Sequence, residues 1–177
     1  MKKEDKKNIK EKKKNNILIY FILVIALLFL YSKYIEPYNL RVNEYKIENE
    51  YLPKSFDGIK IVHFSDVHLG STVDIKYLNK IVNMINKQKP DIVVFTGDML
   101  DKRRTLNNEE TESVKKALSK IKSNLGNYAV SGNHDIKQLD RFKKIMDTNF
   151  TILDNEEKLI YYKENNPISL VGLSDSS

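Results

Sequence analysis

Three short apolar runs, Ile59–Phe64, Ile92–Phe95 and Tyr128–Val130, each stop at a cluster of polar residues, and segments of helical periodicity separate them. Runs this short are read as buried strands, and buried strands joined by helices make a largely parallel sheet. In the first intervening segment Ile75, Leu78, Val82 and Ile85 keep the spacing of one buried helical face, with Asp74 placed to cap it and Pro90 beyond its end. The second, around Asn108–Lys122, carries Val114, Ala117, Leu118 and Ile121 as its stripe. Its acidic residues come early and its lysines late, which complements the helix dipole, and Gly126 follows. A shorter helix from about Ile136 to Met146 turns Leu139, Phe142 and Ile145 inward. Further strands are predicted at Thr151–Leu153, Lys158–Tyr162 and Ile168–Val171. The fold class is α/β.

Upstream, Ile17–Tyr31 is fifteen residues without a charge, Gly or Pro. With its flanks, Asn15–Ile35, it is long enough to cross a hydrocarbon core of about 30 Å, Lys33 snorkelling outward. A cleaved signal peptide would need small residues just beyond the run, and Tyr31-Ser32-Lys33-Tyr34 does not supply them, so a retained anchor is the better reading. Eight lysines precede the span, against Lys33, Arg41 and Lys46 soon after it, which puts the N-terminus in the cytoplasm and the remainder outside the plasma membrane. The tail can also lean on anionic membrane lipid. Alternation at Tyr38, Leu40 and Val42, resumed out of phase at Tyr45 and Ile47, predicts a strand with a bulge near Asn43-Glu44. The predicted organisation is a Lys-rich tail over 1–14, a transmembrane signal anchor over 15–35, a linker and first strand over 36–57, and an α/β domain over 58–177.

Composition narrows the chemistry. The chain has no cysteine, so disulfides, thiolate metal sites and thiol nucleophiles are excluded. Its net charge of +6 sits in the tail: eight of thirty basic and three of twenty-four acidic residues lie in 1–14, leaving 22 against 21. No basic bias remains for a nucleic acid, and none is expected as a partner.

The strand ends carry Ser65-Asp66-Val67-His68, Thr96-Gly97-Asp98-Met99-Leu100-Asp101 and Ser131-Gly132-Asn133-His134-Asp135. Loops at the carboxyl ends of parallel strands share one edge, so these clusters can converge. Carboxylates, imidazoles and an amide form a hard to borderline ligand set suited to Mn, Fe or Zn and compatible with Mg. Asp66 and His68 can grip one ion, Asp98 can bridge to a second, and Asn133 can offer that ion its carbonyl oxygen. Gly97 and Gly132 let the backbone turn beside the charged centre. Two ions roughly 3.5–4 Å apart activate a water and neutralise phosphoryl oxygens, the chemistry of phosphate ester hydrolysis. His134 is placed to give a proton to the leaving oxygen, with Asp101 orienting its ring as an acid dyad. His63 reads as strand packing, Arg103 and Arg104 as a solvated loop, and Asp154 and Asp175 as turn residues.

Asp66-x-His68, Gly97-Asp98-x-x-Asp101 and Gly132-Asn133-His134-Asp135, in this order, resemble the calcineurin-like metallophosphoesterases, in particular their membrane-associated bacterial branch. The resemblance implies a four-layer α-β-β-α sandwich, here partial, and two divalent ions held by Asp66, His68, Asp98 and Asn133, with Asp98 bridging. It also implies His134 at the leaving group and hydrolysis of a phosphate mono- or diester substrate by a metal-bound hydroxide. The family pattern continues with a further His and a Gly-His-x-His cluster, whereas this sequence has only His63, His68 and His134. The chain is therefore expected to hold the N-terminal, truncated part of the domain and to be inactive by itself. The alternative is a membrane-tethered, noncatalytic binding module with an incomplete metal site.

Overall fold

The computed structural model describes residues 2–70 and 73–175; Met1 and the Ser176-Ser177 end of the predicted domain lie outside the described residues. The chain divides into two units, Met1–Tyr45 and Lys46–Ser177.

In the first unit α1 runs unbroken over Lys2–Tyr34, 33 residues. Its stretch from Lys14 is long and apolar enough to cross a membrane, and none of it is buried in the protein. Leu, Ile, Val and Phe facing outward on every side suit lipid rather than a core. Pro37 then opens a 3-10 turn, Glu36–Tyr38, and Arg41 pairs with Glu36 at 3.2 Å. The strand predicted across Tyr38–Ile47 does not form: residues 39–49 carry no regular structure. Alternation alone makes no strand without a neighbour to take its N–H and C=O groups, and Tyr45 and Ile47 stand 85% and 83% exposed.

The second unit holds β1 (Ile61–Phe64), α2 (Ile75–Lys87), β2 (Ile92–Phe95), α3 (Asn108–Leu118), β3 (Asn127–Ala129), α4 (Leu139–Met146), β4 (Thr151–Ile152), β5 (Glu156–Tyr162) and β6 (Glu164–Gly172). The first four strands form one parallel sheet in sequential order. β5 and β6 pair antiparallel as a separate hairpin. Asp74 caps α2 by accepting the Tyr77 N–H at 2.7 Å, and Asn107 and Glu110 close a reciprocal capping box on α3. α3 stops at Leu118, short of the predicted Lys122.

Alternate strand residues serve two cores. Val93, Phe95 and Ala129 pack with Leu78, Val82, Val114, Leu118, Phe142 and Ile145 beneath the helices. Ile92, Tyr128, Leu153 and Ile160 pack with Phe56 on the opposite face, toward the hairpin. A helical layer, a parallel sheet and a second small sheet are thus in place, three of the four layers expected. β1 is an edge strand and its pattern alternates, so His63, read as a packing residue, is instead exposed and meets the Thr96 hydroxyl at 2.7 Å.

Candidate metal centre

The clusters beyond β1, β2 and β3 meet at the carboxyl edge of the sheet. Past the last ladder bonds the first two loops stay paired: Asp66 N–H donates to the Gly97 carbonyl at 3.1 Å, His68 N–H to Asp98 at 3.0 Å and Leu69 N–H to Met99 at 2.9 Å. Val67, Leu69, Met99 and Leu100 are buried, so the loops are anchored by apolar residues that alternate with the polar ones. Asp66, His68 and Asp98 all take left-handed backbone conformations, with φ of 55°, 48° and 61°. Non-glycine residues pay about 1–3 kcal/mol each for this, a cost that persists where surrounding packing imposes it and that concentrates at functional sites.

The third loop closes on the second. Asp135, fully buried, accepts the N–H groups of Asp98 (2.7 Å), Leu100 (3.0 Å), Gly132 (3.2 Å) and Met99 (3.3 Å). Burial pushes its carboxyl above the ordinary carboxylate value, and those four N–H groups pull it back. The two backbones touch: a Cβ on Gly97 would lie 2.6 Å from Gly132 Cα, and one on Gly132 would lie 2.3 Å from Asp98 Oδ1. The glycines are required by this close approach as well as by turning.

Within this frame Asp98 Oδ1 accepts the His134 N–H at 3.0 Å, while Asp98 Oδ2 and Asp66 Oδ1 each lie 3.7 Å from His68 Nε2. The His68 and His134 rings meet edge to face, centroids 4.5 Å apart. His68, Asp98 and His134 each offer a ligand atom, all within 4.8 Å of one another. Asp66 therefore stands beside a His-Asp-His group that could hold a divalent ion. Asn133 is exposed on the wall of the same cleft as Asp66 and Asp98, a space of about 580 Å³ that residues at the end of β6 also line.

Asp101 departs from expectation. Its buried carboxylate accepts from Arg103 N–H at 2.8 Å, Nε at 3.1 Å and Nη2 at 2.8 Å, while His134 Nδ1 is buried with no hydrogen-bond partner. The dyad is not formed, because a guanidinium two residues along the same turn reaches the carboxylate first. Asp101 in turn raises the Arg103 pKa and keeps it charged. Asp135, part of the third cluster, and Asp154, read from the sequence as a turn residue, both grip the loops; the Asp154 carboxylate takes both the N–H and the hydroxyl of Ser131. Both follow a parallel strand on the edge that carries the ligands, which was the available signal.

Comparison with known proteins agrees with this geometry. A family profile described as calcineurin-like phosphoesterase matches residues 59–175. The chain belongs to that family. It is 32% identical over 148 residues to the uncharacterized metallophosphoesterase YkuE of Bacillus subtilis, covering 82% of this chain and 51% of that protein. A transmembrane protein with metallophosphoesterase domain from Danio rerio is 33% identical over 140 residues, 76% of this chain and 31% of the relative. The UDP-2,3-diacylglucosamine pyrophosphatase LpxG of Chlamydia trachomatis is 36% identical over 113 residues, 62% and 32% of the respective chains. The calcineurin-like phosphoesterase chain thus spans about half or less of the length of these relatives. Its Asp, His and Asn donors suit the divalent metals such enzymes use.

Proposed function

We propose that this chain is the membrane-anchored part of a metal-dependent phosphoric ester hydrolase, and that Asp66, His68, Asp98 and Asn133 hold two divalent ions. The observation that carries the reading is the convergence of Asp66, His68, Asp98 and His134 from three separate loops, the first three of them on left-handed backbone. Divalent ions bound there would supply an activated water and neutralise charge at phosphorus.

The chain's own groups have separable tasks. Asp98 presents one oxygen to His68 and the other to the His134 backbone, so its carboxylate is aimed before any ion arrives. His134, whose ring meets that of His68, donates the proton to the leaving oxygen. Asp101 holds Arg103 as a fixed positive charge in the same loop as Asp98.

Residues 15–35 anchor the protein, with the Lys-rich tail in the cytoplasm and the domain over 58–177 outside. The LpxG relatives are named for a diacylated sugar nucleotide, and a lipid-linked phosphate ester suits a domain tethered at a bilayer. The chain spans about half or less of these relatives' length, and the expectation for it alone is metal binding with little or no turnover.

The test is Mn²⁺ binding to the full chain in detergent, followed by electron paramagnetic resonance, with hydrolysis of an aryl phosphate mono- and diester in parallel. Asp98→Asn should weaken binding at least about tenfold. Unchanged affinity in that variant would overturn the assignment. Brisk metal-dependent turnover by the unmodified chain would overturn the expected inactivity alone.

A further inference from the structure

Asp154 sits just past β4, at the same sheet edge as the ligand loops, and nothing in the reaction described above uses it. Its Oδ1 accepts the Ser131 N–H at 2.7 Å and its Oδ2 accepts the Ser131 hydroxyl at 2.8 Å. Ser131 is buried at 3% exposure. Asp154 is itself well placed: Leu153 N–H donates to the Ala129 carbonyl at 2.8 Å, and Asn155 turns the chain away with φ of 58°. Two hydrogen bonds of Ser131 are thus fixed from a strand other than its own.

Ser131 leads directly into Gly132 and Asn133. Gly132 lies so close to Asp98 that the carboxylate oxygen occupies the space a Cβ would need. Asn133 is exposed and lies two residues beyond Ser131 in the same loop. We propose that Asp154 is a positioning residue for the metal centre: by gripping Ser131 twice it sets the separation between Asn133 and the Asp98 carboxylate. The inference rests on the metal reading above. A carboxylate taking two donors is a stiff support, and groups that orient metal ligands commonly change affinity by about 10–100-fold when removed.

The substitutions separate hydrogen bonding from charge. In Asp154→Asn the amide oxygen can accept the Ser131 N–H and the amide nitrogen can donate to the Ser131 hydroxyl, so both contacts survive without the charge. Asp154→Ala loses both. Mn²⁺ titration of the full chain in detergent should show a Kd raised about tenfold in Asp154→Ala and within about threefold of the parent in Asp154→Asn. A lower Tm with an unchanged Kd in the folded Ala variant would overturn the proposal, as would equal weakening in both variants. If Asp154→Ala does not fold, Ser131→Ala decides: a raised Kd supports the role and an unchanged one overturns it. Asp98→Asn separates the two failures. If it too leaves Kd unchanged, the metal reading falls and this inference with it; if it alone weakens binding, only the role of Asp154 falls.

Discussion

Gly132 shows how one missing side chain organises the centre. Its Cα and N press on Gly97, and the Asp98 carboxylate fills the room a methyl would take. Gly132→Ala therefore has to separate the second and third loops or turn Asp98 out of place. Mn²⁺ affinity is expected to fall about tenfold or more, while Gly58→Ala, where a Cβ meets nothing within 4 Å but φ is positive, costs stability and leaves affinity unchanged. Titration of both variants with Mn²⁺, each checked by circular dichroism, tests the contrast. At this scale the convergence of Asp66, His68, Asp98 and His134 was legible from the order and spacing of their clusters. The partners of Asp101 and Asp154 were not, because a hydrogen bond depends on which donor arrives within reach: Arg103, two residues along, takes Asp101 locally, and Ser131 is brought to Asp154 only by the fold.

Among the elements, α3 illustrates a structure written locally. Asn107 accepts the Glu110 N–H at 2.8 Å and Glu110 returns the contact to the Asn107 N–H at 2.9 Å. Asn107→Ala should destabilise the domain by about 1 kcal/mol in denaturant unfolding while leaving Mn²⁺ affinity unchanged, since the cap lies outside the ligand loops. Local signals of this kind placed α2, α3 and α4 and the strands of the parallel sheet, with errors at the ends. They misplaced the strand over Tyr38–Ile47 for a different reason. A helix satisfies its own backbone, whereas a strand needs a neighbour, and its sequence does not say whether one is present.

At the scale of the whole molecule two physically different units share one chain: a helix apolar on every side and a domain with two buried cores. The full chain is expected to stay with membranes through alkaline carbonate washing, and a variant lacking residues 2–35 to be released. Release of the full chain would show that the helix does not span. The lysines before the span should also be inaccessible to an impermeant amine reagent in intact cells.

What the residues alone determined was a helix long and apolar enough to cross a membrane, the parallel α/β plan and the kinds of donor at the sheet edge, because hydrophobic period, length and donor chemistry are carried by each segment on its own. Tertiary structure alone decided that His134 Nδ1 stands unpartnered, that Asp101 serves Arg103, and that Asp135 and Asp154 grip the loops. The grips of Asp135 and Asp154 join residues on separate loops, and their distances come into being only when the sheet forms.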